Sequence, residues 1–193
     1  MIGYRFRFYL ALAAAISLVA ALPVAARPDA AARFDASVAD AKAKMLIDPA
    51  SAVVIGRAAE SIAREFEGHQ RTVATATAEW LQGEAYLRLH DLLHAKPLID
   101  RALAAVTHEP STKLTGDLLV SRGGIHEEEA NVASALDDYQ KAHNIFRSIG
   151  EIRSRALALM SIGLLYQEAK DYNNSLKYYN QAIDIYRGDP QII

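Results

Sequence analysis

The chain has 193 residues, 51% hydrophobic but only 8% aromatic, with 21 basic and 23 acidic side chains and a net charge of −2. This length suits one domain or a short repeat array with a real core, and the alanine- and leucine-rich balance favours helix. No basic stripe suited to nucleic acid is present, and the absence of cysteine excludes a disulfide framework, a thiolate metal site, a cysteine nucleophile and a lipoprotein cleavage point.

The first segment is distinct. Arg5 and Arg7 precede an apolar run from about Phe8 to Leu22, and "PVAA" then places small residues at Val24 and Ala26. That layout predicts a secretory signal peptide over residues 1–26 and an exported, periplasmic-type location; if the segment is retained, it becomes a membrane anchor. Without Arg5 and Arg7, 19 basic residues face 23 acidic ones, a net charge of −4.

Next, "RFDASVADAKAKMLIDPASAVVIGRAAESIAREF" reads as a helix pair over about 33–68, turning at Asp48-Pro49, with Ala52 and Ala59 as small residues of the second helix. "EWLQGEAYLRLHDLLHAKPLIDRAL" predicts a second pair over 70–109, turning at His90-Asp91 and carrying Pro97 in the first turn of its second helix, where a missing N–H is tolerated. "LLVSRGGIHEEEANVASALDDYQKAH" falls in a third pair over 112–149, with Arg122 and His126 at normally apolar positions. The fourth pair, 152–187, contains "SIGLLYQEAKDYNNSLKYYNQAIDIY" and turns at Lys170-Asp171. Residues 188–193 form an uncapped tail, which leaves Tyr178, Ile185 and Tyr186 partly uncovered for a partner or a second copy.

These pairs are repeats. Gly83, Gly123 and Gly163 recur every 40 residues, as do Ala95, Ala135 and Ser175, then Ile99, Tyr139 and Tyr179, then Ala102, Ala142 and Ala182. A glycine inside a helix costs roughly 1 kcal/mol relative to alanine. Its recurrence at a fixed period therefore points to close backbone packing, and the nine glycine, alanine and serine positions read as structural contact points. The first pair departs from the period, with Ala59 lying 43 residues before Ala102.

Within "LMSIGLLYQEAKDYNNSLKYYNQAI", the set Leu159, Ile162, Gly163, Tyr166, Tyr172, Ser175, Tyr179 and Ala182 resembles the tetratricopeptide repeat pattern. The resemblance implies an all-α solenoid of about four helix hairpins, each a first helix A and a second helix B, with units longer than the family's usual 34 residues. It further implies a concave groove lined by helix A. In the second unit the groove residues would be Thr77, Trp80, Glu84, Leu87 and Arg88. In the third they would be Asp117, Val120, Gly124, Glu127 and Glu128, and in the fourth Leu157, Met160, Leu164, Gln167 and Glu168. Such a groove, part apolar and part acidic, would suit an extended or helical peptide bearing basic residues.

Other readings of single residues stay open. Trp80 is either a binding anchor or a core member. Glu127 to Glu129 are either groove residues or a solvated helix end, and Arg122 either bridges to Asp117 or Asp138 or turns to solvent. His90 and His94 have zinc-ligand spacing but straddle a turn, and "HEEE" at 126–129 lacks the second histidine of a metalloprotease box. No phosphate loop, nucleophile elbow or cofactor fingerprint occurs. The sequence thus predicts a non-catalytic protein- or peptide-binding scaffold without metal or cofactor. The alternative, also by resemblance, is the exported sensory front of a membrane signalling protein, of diguanylate cyclase or histidine kinase type, whose catalytic domain lies elsewhere.

Overall fold

A computed structural model describes residues 29–108 and 112–188. The expected signal peptide and the tail after Gly188 lie outside the described residues. Among those described, every element is an α-helix, and none is long and apolar enough to cross a membrane. The helices are α1 (Ala30–Lys44), α2 (Pro49–Ala63), α3 (Gly68–Arg88), α4 (Leu92–Val106), α5 (Lys113–Glu128), α6 (Val132–Ile149), α7 (Ile152–Glu168) and α8 (Tyr172–Arg187).

Most helix starts are fixed by a side-chain cap. The carboxylates of Asp48, Asp91 and Asp171 accept from the backbone N–H of Ser51, His94 and Asn174, and Asn131 does the same for Ser134. The three later turns share a second device: the residue before each cap, His90, Ala130 and Lys170, adopts positive φ. These positions are again 40 apart. Each turn therefore reverses the chain within three residues.

The Asp91 cap also corrects one expectation. Because α4 begins at Leu92, Pro97 stands in its sixth position, inside the helix and beyond the first turn. There it lacks the N–H that would bond to the Leu93 carbonyl.

Helices pack in consecutive pairs, α1 on α2, α3 on α4, α5 on α6 and α7 on α8. Each pair then packs on the next, and the A helices α1, α3, α5 and α7 also touch in succession. Sheet-like or distant contacts are absent among the described residues, so the arrangement is a helix-hairpin solenoid.

Small residues create the close approaches. A Cβ placed on Gly83 would lie 2.6 Å from Ile99 Cδ1, on Gly123 2.5 Å from Tyr139 Cε1, and on Gly163 2.8 Å from Tyr179 Cε1. Two columns of the repeat thus meet in three successive units, a glycine on helix A beneath a large residue on helix B. Gly116 beneath Phe146 repeats the device between α5 and α6. Ala95, Ala102, Ala135 and Ala142 are wholly buried, and Ser175 and Ala182 nearly so. The large core side chains include Leu81, Ile99, Leu118, Ile125, Phe146, Leu159 and Ile162. Burial of each such side chain contributes about 1.5–3 kcal/mol before conformational entropy is charged against it.

Two of the polar residues at apolar columns, Gln82 and Arg122, are matched. Gln82 is buried and donates to Glu60 Oε2 on α2 at 2.9 Å. Arg122 reaches Asp138, not Asp117, in a two-pronged contact of 2.7 and 2.6 Å.

Candidate functional site

The A helices carry the expected groove residues in columns. Trp80, Val120 and Met160 share one position of the repeat, and Thr77, Asp117 and Leu157 share another. Around them lies a cleft of about 160 Å³ lined by Trp80, Glu84 and Arg88 of α3, Asp117, Val120 and Ser121 of α5, Phe146 of α6, and Ser154 and Leu157 of α7. Six of the expected residues therefore converge. Three lining residues, Ser121, Phe146 and Ser154, were not foreseen. Ser121 was detectable as the polar residue 40 positions after buried Leu81, and Phe146 as the partner of Gly116.

Trp80 is wedged, with part of its ring facing the cleft. Its indole N–H donates to Ser121 Oγ at 3.1 Å, and Ser121 Oγ lies 2.7 Å from Glu84 Oε2 as donor. Glu84 in turn pairs with Arg88 at 2.8 Å, and the Lys42 ammonium stands 5.3 Å from the Trp80 ring centre. Trp80 also packs against the cores of the first two units, so it is core member and cleft wall at once.

The other carboxylate of the cleft is held in the same way. Lys113 Nζ donates to both oxygens of Asp117 at 2.9 Å and to Ser154 Oγ at 3.1 Å, while lying 5.6 Å from the Phe146 ring centre. Burial pushes the Asp117 carboxyl up, and Lys113 opposes that shift. Glu84 and Asp117 each carry a cation one helical turn away. The cleft is thus apolar-walled with locally balanced charge, rather than acidic.

Uncompensated acid lies further along. Burial raises the Glu127 carboxyl above its ordinary range, and the neighbouring charges of Glu168 and Glu128 add to the shift. Tyr139 donates to Glu127 Oε2 at 2.8 Å, and Tyr179 donates to Gln167 Oε1 at 3.2 Å, the same contact one unit on. Glu128 stands 2.9 Å from His90 Nδ1.

The remaining expected residues stand outside the cleft. The Thr77 hydroxyl donates to the Val73 carbonyl, and Leu87 packs over Gly124, where a Cβ would meet Leu87 Cδ2 at 3.0 Å. Met160 and Leu164 are exposed on α7 and extend an apolar strip from Leu157, and exposed Glu168 lies beyond it. His94 Nδ1 pairs with Asp91 Oδ2 at 2.7 Å, within its own turn.

Residues 114–188 match the family model of the tetratricopeptide repeat. The last two hairpins are tetratricopeptide repeats. That match covers α5 to α8, and α3–α4 continue the same 40-residue columns as tetratricopeptide-like hairpins. Such repeats generally act as non-catalytic scaffolds that bind proteins or peptides. No curated protein matches the chain.

Proposed function

We propose that this tetratricopeptide-repeat array is a non-catalytic scaffold that captures a protein segment along its A helices. The segment inserts one apolar side chain between Trp80, Val120 and Leu157 and directs a basic residue toward Glu127 and Glu168. The observation that carries this reading is the cleft itself: three A helices supply its walls, and its two carboxylates already hold their own cations. An apolar anchor therefore fits it better than a buried charge, which would have to displace Arg88 or Lys113.

Trp80 is the chain's single tryptophan and reports on the cleft without labelling. A displayed library of twelve-residue peptides, selected on the full chain, is expected to yield members with one large apolar residue and one arginine or lysine. Their addition should shift Trp80 emission, and Leu157→Glu should weaken binding at least ten-fold. Selected peptides that bind Leu157→Glu and Val120→Glu as well as the parent would sink the proposal.

On the layout of residues 1–26, we propose further that the chain is exported. Intact mass measurement of the protein in the producing cell's exported fraction is expected to find it starting after Ala26. Retention in the cytosol at full length would refute export.

A further inference from the structure

A second pocket, of about 420 Å³, opens between α6, α7 and α8 and shares no residue with the cleft. Leu159 and Ile185 supply its apolar part, and its polar lining is His143, Arg147, Arg155, Gln181 and Asp184. The two guanidinium groups form no ion pair among the described residues. Arg155 Nε and His143 Nδ1 are buried without a hydrogen-bond partner. A buried donor left in that state destabilises the fold, more so when it belongs to a charged group. Native folds rarely leave such groups without a polar partner.

The repeat does not require these residues. At the preceding joint, 40 positions earlier, His143, Arg147 and Arg155 correspond to Leu103, Thr107 and Thr115. The basic group thus belongs to this joint and not to the scaffold.

We propose that this pocket binds a phosphate-type oxyanion, either free phosphate or the terminal phosphoryl group of a small phosphomonoester. The guanidinium is a planar fork that takes two oxygens of an oxyanion. One fork satisfies a carboxylate, whereas two forks from different helices suit a group with three or four oxygens. Gln181 adds an amide donor on α8. Asp184, on the same helix, would repel a fully deprotonated sulfate but accepts from the P–OH of monohydrogen phosphate. His143 is held below its ordinary range by burial and then by the charge of Arg155, with Arg147 acting in the same direction. An anion bound beside it relieves that effect.

The test is a titration of the full chain, labelled with nitrogen-15 and followed by NMR at constant ionic strength. Inorganic phosphate, O-phosphoserine, sulfate and acetate are the probes. The expected result is a saturable shift of the Arg155 Nε–H and the His143 ring with phosphate or phosphoserine, weaker with sulfate and acetate. The His143 titration midpoint should rise in the bound state. Arg147→Gln, on the exposed rim, should cut the affinity at least ten-fold while leaving the helical circular dichroism unchanged, and Arg155→Gln should do so more strongly. Saturation by phosphate assigns the free anion, and saturation by phosphoserine alone assigns the ester. Shifts that climb linearly with every anion, or that persist in Arg147→Gln, would overturn the site.

Discussion

Arg122 and Asp138 occupy positions where neighbouring units carry apolar side chains at one or both columns: Ile162 stands 40 residues after Arg122, and Leu98 stands 40 before Asp138. Asp138 is only 2% exposed, and the Arg122 guanidinium is its closest cation. His126 Nε2, at 3.8 Å from Asp138 Oδ2, is too distant for a strong hydrogen bond and cannot replace it. Arg122→Ile alone is therefore expected to cost about 3 kcal/mol, because it leaves a carboxylate buried without its cation. Adding Asp138→Leu should recover most of that loss, since a packed apolar pair is often as stable as a buried ion pair. Urea denaturation of the three chains decides the matter; a double variant as weak as the single would contradict it. Glu127 gives a pH-dependent case. Its carboxyl is raised in the fold by burial, so folding favours the protonated form. Its contribution is fully present below the ordinary glutamate range and is lost as pH rises through the folded value. Glu127→Gln, which keeps an acceptor for Tyr139, should be more stable than the parent at pH 7 and equal to it below the ordinary carboxyl range. Denaturation midpoints measured across that range would show the gap opening with rising pH.

At the scale of the hairpin, the turns after α3, α5 and α7 combine a left-handed residue with a capping side chain. Ala130 has φ of 56°, a conformation that costs a Cβ-bearing residue about 1–2 kcal/mol. Ala130→Gly should therefore stabilise the chain by roughly 0.5–1 kcal/mol, the gain in the fold being reduced by glycine's greater freedom when unfolded. A lower thermal midpoint would show that the turn is not strained. These elements were largely legible in the sequence, because the period of 40 is carried by residues whose size is dictated by contact. Gly83, Gly123 and Gly163 could be recognised without knowing which side chains cover them. Pro97 was misplaced within its helix: with Asp91 as cap and Leu92 as the first residue of α4, the proline falls in the second turn. In the cleft, the columns identified the walls but not the charge balance. Arg88 and Glu84 were both among the groove positions, one turn apart, whereas Lys113, which neutralises Asp117 at the same spacing, was not. The basic pocket was not legible at all, because its residues come from three helices and follow no shared column.

At the scale of the whole chain, contact runs only between neighbouring hairpins, so stability is distributed along one dimension. Among consecutive helices, α4 and α5 share the least contact, and the link between them, residues 107–112, is the longest between helices. A buried apolar cluster crosses this joint, with Ile99 and Val106 of α4 against Leu118 and Ile125 of α5, and polar contacts flank it: Trp80 with Ser121, His90 with Glu128 and Lys96 with Glu129. Hydrogen exchange followed by mass spectrometry is expected to find two protection levels that meet near residues 107–112. Rising salt should widen the difference by weakening the exposed ion pairs. A single uniform protection across α1 to α8 would mean that the array opens as one unit.

The constant spacing of the three later glycines also bears on how such a chain can be inherited. An in-frame gain or loss of 40 residues within α3 to α8 restores every column to its partner, whatever the point of exchange, because each helix A still finds a helix B at the same distance along the chain. A change of one residue inside a helix turns all that follow by about 100° and brings a charged face to the contact. Unequal recombination between units is therefore a tolerated route of change for this protein, whereas single-codon insertion within its helices is a lesion.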